Sequence, residues 1–397
     1  MKRVASLIIA VSFLLCACSV NAGKDSVTSV KNEENIFQNA EESVNAVWIS
    51  YPELSELCKD ADEEKFRERV VDLAANLLSF KINTAIVHAV AFCDSFYESE
   101  ILPRSRFISP DVNYDVFGII CELCAKAGIR VQAWINPYRV SSHPDKTAVE
   151  ENEAVKKLYS QNSESILFCE NEITLNPALL CVQQLILDEA RELIDKYNID
   201  AIHIDDYFYP DMTNNPDGNS YGDYLKNNGN LSISDWRREN VNSLICSLHS
   251  LTHSRKIKLA ISPSADIQKN YNNKYADILY WLENGWADEI IPQIYFGFKN
   301  ENAPFEKILD NWVEATKDKP TRLIIGLAFY KCGKEDINAG DGKNEWCESS
   351  DIISRQISLI KEKNTIYGVA FFSYSHIFGK KIEKIAKKEL QNAKNVI

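Results

Sequence analysis

Two adjacent carboxylates, Asp205 and Asp206, close a short apolar run: Ile199-Asp200-Ala201-Ile202-His203-Ile204-Asp205-Asp206-Tyr207-Phe208-Tyr209-Pro210. Carboxyl groups placed together suit cleavage of an acetal. One gives a proton to the leaving oxygen, and another acts as base, nucleophile or charge stabiliser. Strand side chains alternate between faces, so His203 and Asp205 share one face while Ile202 and Ile204 share the other. A strand buried in a parallel sheet is normally apolar on both faces. A polar face here implies either a site at the strand's end or a cap of solvated aspartates. Asp205 is the first candidate for nucleophile or stabilising carboxylate, since the alternation turns it inward with His203. Asp206 faces the other way and would hold Arg139 or a loop, unless the strand has already ended. Asp206, Asp94 and Asp266 all remain open as the proton donor.

The elements that must position these groups follow one period. Apolar runs alternate with amphipathic helical stretches from residue 44 onward, the pattern of a parallel sheet with crossover helices. Strands are expected at 44–50, 83–90, 129–135, 199–205, 257–262, 289–295, 322–329 and 367–374. Helices are expected between them, at 62–80, 114–127, 177–197, 275–284, 304–316, 351–363 and 380–392, with another opened by a cap at Ser234. Gly128 stops the helix before the third strand. Eight strands with intervening helices define a single (β/α)₈ barrel, an α/β fold, spanning residues 44–397. About 40 residues after the third strand are too many for a simple connector and point to a functional loop.

Barrel sites lie at the C-terminal ends of the strands. Here those ends are polar or aromatic: Ser50-Tyr51-Pro52-Glu53, His88 to Asp94, Asn136-Pro137-Tyr138-Arg139, Asp205-Asp206-Tyr207, Ser262 to Asp266, Gln293-Ile294-Tyr295, Tyr330 and Ser373-Tyr374. Aromatic faces, amides and carboxylates with little lysine suit sugar rings. Asp94, Asn136, Tyr138, Arg139, His203, Tyr207, Gln293 and Tyr295 are the candidate substrate contacts. Trp134, Gln132 and Trp236 serve either packing or sugar contact, and Arg139 is either a clamp on substrate or half of a structural ion pair. No Gly-rich turn follows a strand, which argues against a phosphate site. His88 and His203 are too weak a pair to indicate a metal, and no cofactor is expected. A net charge of −13 without a basic block excludes nucleic acid as a natural partner.

The N-terminus carries a different kind of signal. Lys2 and Arg3 precede an apolar run too short to span a bilayer, which needs roughly 20 residues. The run ends in Leu15-Cys16-Ala17-Cys18-Ser19, which resembles a bacterial lipobox with Cys18 as the lipidated residue. Residues 1–18 are therefore expected to be a lipoprotein signal, and 19–43 a polar tether. That places the chain in the cell envelope, held to the membrane by lipid. The remaining cysteines lack metal-ligand spacing and are mostly expected as small buried hydrophobes. Cys121 and Cys124 fall within a helix, and Cys332 and Cys347 flank a polar loop where they are able to pair.

Taken in order, the motifs resemble a family of bacterial glycosyl-hydrolase-like barrels, family ten. The resemblance covers residues 44–376. It rests on Ala46-Val47-Trp48-Ile49-Ser50, Asn83-Thr84, Ala133-Trp134-Ile135-Asn136-Pro137-Tyr138-Arg139, Leu175-Asn176-Pro177, Ile202 to Pro210, Trp236 to Val241, Ile261-Ser262-Pro263 and Ile291-Pro292-Gln293-Ile294-Tyr295. The resemblance implies a lipid-anchored glycosidase acting on an aminosugar glycan, with some members cleaving peptidoglycan strands that lack stem peptides. Two segments depart from the family pattern. Val90-Ala91 stands where an Arg-Pro pair is usual, and Ser264 to Asn270 replaces a Phe-Gly and Trp-Arg-Asn segment. These departures allow an alternative, a glycan-binding lipoprotein without catalysis.

Overall fold

The computed structural model describes residues 43–379 and 382–397. The expected signal, tether and Cys18 lie outside the described residues. Eight parallel strands close into a barrel: β1 (Val44–Ile49), β2 (Thr84–Val90), β3 (Arg130–Ile135), β4 (Ala201–Ile204), β5 (Lys258–Ile261), β6 (Glu289–Ile290), β7 (Arg322–Leu327) and β8 (Ile366–Phe371). Each strand pairs with its sequence neighbour, and β1 pairs with β8 to close the ring. Helices fill the crossovers. Their starts follow local chemistry: Asp62 caps Glu63–Ser79 through the Lys65 amide, and Asp115 caps Val116–Lys126 through the Gly118 amide.

Several boundaries differ from the sequence expectation. The cap of the long helix Ile233–Ser254 is Ser232, not Ser234; its hydroxyl accepts from the Asp235 amide. The strand expected at 289–295 pairs regularly only over Glu289–Ile290, and beyond Pro292 just single bridges at Gln293 remain. Proline cannot donate to a ladder, so pairing lapses there. The long segment after β3 holds its own three-stranded antiparallel sheet, Arg139–Ser141, Ile166–Phe168 and Ile173–Leu175. Cys332 and Cys347 are unpaired, as are Cys121 and Cys124, which are buried in their helix as expected.

The core has two layers. A large one lies between strands and helices. A smaller one fills the barrel: Trp48, Trp134, Ile86, Ile291 and Ile324 among the alanines 46, 201, 260 and 370. The small residues make room for the indoles. At Gly326 a Cβ would come within 2.9 Å of the Pro292 carbonyl and 3.2 Å of Trp48, so only glycine fits. Below the indoles runs a buried polar chain. Arg322 donates to Glu289, the Gln132 amide donates to Glu289 at 2.7 Å, and Gln132 Oε1 meets His203 Nδ1 at 2.9 Å. This chain supports the barrel floor on which the site rests.

Candidate active site

A cavity of about 400 Å³ opens at the C-terminal ends of the strands, within the range of roughly 300–1,000 Å³ usual for ligand sites. Its walls include Trp48, Glu53, His88, Trp134, Arg139, Asp205, Asp206, Tyr207, Gln293, Tyr295, Phe372 and His376.

Asp205 continues the alternation of β4 and points inward. Its Oδ2 accepts from Trp134 Nε1 at 3.0 Å and from the Asn136 amide; its Oδ1 accepts from the Tyr207 N–H at 3.3 Å. Pairing in β4 stops at Ile204, so alternation no longer binds Asp206, which turns into the same cavity. Among the described residues its side-chain hydrogen-bond partner is Gln293 Nε2, at 3.4 Å; the Lys274 charge also acts on it. Burial raises both carboxyls above the ordinary range, and for Asp205 the neighbouring Asp206 charge adds to it. Two buried carboxylates side by side resist a second negative charge, so the pair titrates as a unit and holds one proton well above the usual pH. Burial alone would leave that proton on Asp205, the deeper of the two. Three N–H donors oppose this, because donors stabilise an ionised acceptor. Among the described side chains Asp206 has a single long hydrogen bond, to Gln293, which leaves it the better placed of the two to carry the proton.

Asn136 is itself held. The Tyr51 N–H donates to His88 Nδ1 at 3.1 Å, which leaves the ring proton on Nε2, 3.1 Å from Asn136 Oδ1. That fixes the Asn136 amide with its NH₂ toward Asp205. The His88 ring stacks on Trp134 with centroids 3.3 Å apart. Burial keeps His88 neutral by lowering its pKa well below the imidazole norm. A relay thus runs from β2 through β3 to β4.

His203 does not reach the cavity. It is fully buried beneath it, between Gln132, Ser262 and Trp48, and burial lowers its pKa to about 3. It supports the floor as a neutral ring. Arg139 lies between two rings, 4.1 Å over Phe92 and 4.5 Å over Tyr207, and lines the cavity with Tyr207. Gln293 and Tyr295 form the opposite wall. Tyr138 is buried behind Arg139 and faces a separate small recess. Asp94 lies outside the cavity lining; it accepts from Ser105, Phe92 and Arg106 and so shapes the loop after β2. Asp266 caps the helix Ile267–Asn273 through the Lys269 amide. Neither of these two aspartates is placed to protonate a bound sugar. Trp236 packs against Tyr221 and Tyr224, and Gln132 belongs to the barrel floor.

Sequence reading passed over Trp48, Phe372 and His376 as cavity residues, and left Glu53 without a role. Glu53 accepts four hydrogen bonds: from the Ser50 N–H and hydroxyl, and from Ser373 Oγ and the Ser375 N–H. It clasps the ends of β1 and β8 at the barrel's closure. The Ser50-x-x-Glu53 spacing, a capping box, carried half of that signal.

A parallel eight-stranded barrel with buried carboxylates and aromatic walls at its C-terminal face is the architecture of a glycoside hydrolase. The chain belongs to the glycosyl hydrolase-like 10 family, whose pattern matches residues 43–343. It is 28% identical to glycosyl hydrolase YngK of Bacillus subtilis (strain 168), over 84% of this chain and 68% of that one. It is 27% identical to glycosyl hydrolase DigH of Escherichia coli (strain K12), over 83% of each. In fold it is similar to the PgaB glycoside hydrolase domain from Bordetella bronchiseptica, with a TM-score of 0.55 at 12% identity, covering 83% of this chain and 94% of that one.

Proposed function

We propose that the protein is a lipid-anchored glycoside hydrolase of the cell envelope that cleaves an aminosugar glycan, peptidoglycan strands being the substrate. The carrying observation is the Asp205–Asp206 pair, two carboxyls side by side at the end of β4 that both line an aromatic cavity. Asp206, lining the cavity, gives its proton to the leaving glycosidic oxygen. Asp205 stays ionised on its three donors and stabilises the positive charge that develops at the sugar. Trp48, Trp134, Phe372 and Tyr207 give the cavity the aromatic lining that suits a glycan. The lipobox-like N-terminus supports delivery to the envelope.

The non-catalytic alternative rested on Val90-Ala91 and Ser264 to Asn270. Val90 and Ala91 are buried in the core. Ser264 and Asn270 bond each other in a capped turn, and no residue of that segment lines the cavity. These departures therefore leave the carboxylate pair untouched.

The test incubates protein lacking residues 1–18 with purified glycan strands, with and without stem peptides, beside the Asp206→Asn variant. Products are read by mass spectrometry. Cleavage by the parent alone supports the reading. Capture of strands without cleavage would return the protein to the binding class.

A further inference from the structure

The pair supplies an acid and a stabilising anion, but the attacking group is unassigned. In the usual arrangement two carboxyls face each other across the bond, about 5–5.5 Å apart for retention and about 6.5–9.5 Å apart for inversion. Asp205 and Asp206 are consecutive residues at one strand end, so they meet the sugar from one side. Among the described residues lining the cavity, the third carboxylate is Glu53, across the barrel at β1. Its two oxygens are occupied by four donors, two of them backbone N–H groups that would lose their partner if it moved. Among the described residues there is thus no free carboxylate on the opposite wall, either to attack or to activate water.

The cavity does present a compact complement to one substituent. Trp48, Phe372 and Tyr295 form an apolar corner, with Phe372 6.0 Å from Trp48 and 5.9 Å from Tyr295 between ring centroids. The Tyr295 hydroxyl is buried and has no hydrogen-bond partner among the described residues. Asp205 and Asp206 lie within its electrostatic reach. An acetamido group has a methyl for the corner, a carbonyl for the hydroxyl and an N–H for a carboxylate.

We propose that the sugar at the cleavage point is an N-acetylated 2-amino sugar, and that its own carbonyl oxygen is the nucleophile. The inference deepens the hydrolase reading and rests on it. The acetamido oxygen forms a bond to C1 as the C1–O bond to the leaving sugar breaks. Asp206 gives its proton to the departing oxygen. Asp205 accepts the acetamido N–H and balances the positive charge of the resulting five-membered ring. Tyr295 donates to the carbonyl oxygen and aligns it for attack. Water then attacks C1 and loses a proton to Asp206; the ring reopens and the acetamido group is restored. Two displacements return the starting configuration, and the leaving group must lie trans to the acetamido group.

The test uses the full chain with three glycan preparations: N-acetylated strands, the same strands de-N-acetylated, and the same strands re-acylated with trifluoroacetyl groups. The first-formed anomer is read by NMR, and binding of a thiazoline mimic of the cyclic intermediate by calorimetry. Expected are a retained anomer, at least tenfold slower turnover of trifluoroacetyl strands, no turnover of de-N-acetylated ones, and saturable thiazoline binding. Tyr295→Phe should lower kcat about 100-fold, the scale of one oxyanion-type donor, and weaken thiazoline binding in parallel. An inverted anomer, or equal rates on acetyl and trifluoroacetyl strands, overturns the acetamido nucleophile and leaves the hydrolase reading standing. No turnover of N-acetylated strands overturns both.

Discussion

Glu53 and the Asp205–Asp206 pair open on the same cavity from opposite parts of the ring. Both are carboxylates just beyond a strand, yet they are built for different purposes. Glu53 spends every accepting position on donors from both sides of the β1–β8 closure. Asp206 lines the void with a long contact to Gln293, and Asp205 is held by donors from the end of the adjacent strand β3 and from the Tyr207 backbone. A saturated carboxylate stabilises; an under-satisfied buried one costs stability and gains reactivity. Residue type and position at a strand end are therefore a poor guide to role; the number of donors already engaged separates them.

The comparison breaks first at Asp206. Asp206→Asn should lower kcat by about 10²–10⁴-fold, the usual range for a general acid, with an unchanged thermal midpoint near pH 4. Steady-state release of reducing ends checks this; a variant with near-parental kcat would remove Asp206 from the chemistry. Glu53→Ala should act on the other axis. It removes the acceptor of two part-buried backbone donors and is expected to cost about 2 kcal/mol of stability, the low end of roughly 1–3 kcal/mol per group, read by urea unfolding. If Glu53→Ala instead keeps full stability and loses all turnover, Glu53 belongs to the chemistry and not to the clasp.

Asn136→Ala sharpens the contrast within the pair. It removes a donor to a charged acceptor, worth about 1.5–3 kcal/mol, and should lower kcat about 10- to 100-fold. It should also move the acidic limb of the pH–rate profile to higher pH, because Asp205 loses a group that favours its ionised form. A still smaller effect concerns stability against pH. The folded-state pKa of Asp206 is raised above its unfolded value. Its burial is thus harmless at low pH and costs stability as pH rises from the unfolded pKa through the raised one. Asp206→Asn should therefore match the parent near pH 4 and exceed it in thermal midpoint at pH 8. A gain at pH 4 that vanishes at pH 8 would reverse the sign and refute the raised pKa. Smallest of all, Arg139→Ala should raise KM about threefold with kcat nearly intact, from losing ring contacts worth about 0.5–1 kcal/mol at partly exposed sites.

Much of this architecture was readable from period and punctuation. Alternation placed His203 and Asp205 on the inner face, and the βα period gave eight strands in order. Local rules failed where the chain leaves them. Asp206 looked outward by alternation and turns inward because pairing ends at Ile204. The strand after Asp288 looked seven residues long and pairs over two, because Pro292 interrupts the ladder. Asp94 and Asp266 sat at strand ends like Asp205, but each meets backbone amides of its own loop and is absorbed there.

The sequence by itself determined the barrel, its inward faces and the clustering of polar residues at one end, because these follow from side-chain period and from short-range turn chemistry. Only the tertiary structure decided which of those polar residues act. Whether a carboxylate is saturated depends on donors 69 residues away, as for Asn136 and Asp205, or 320 and 322 residues away, as for Glu53 with Ser373 and Ser375. Closure of the ring brings such partners together, and nothing in the local sequence records the distance.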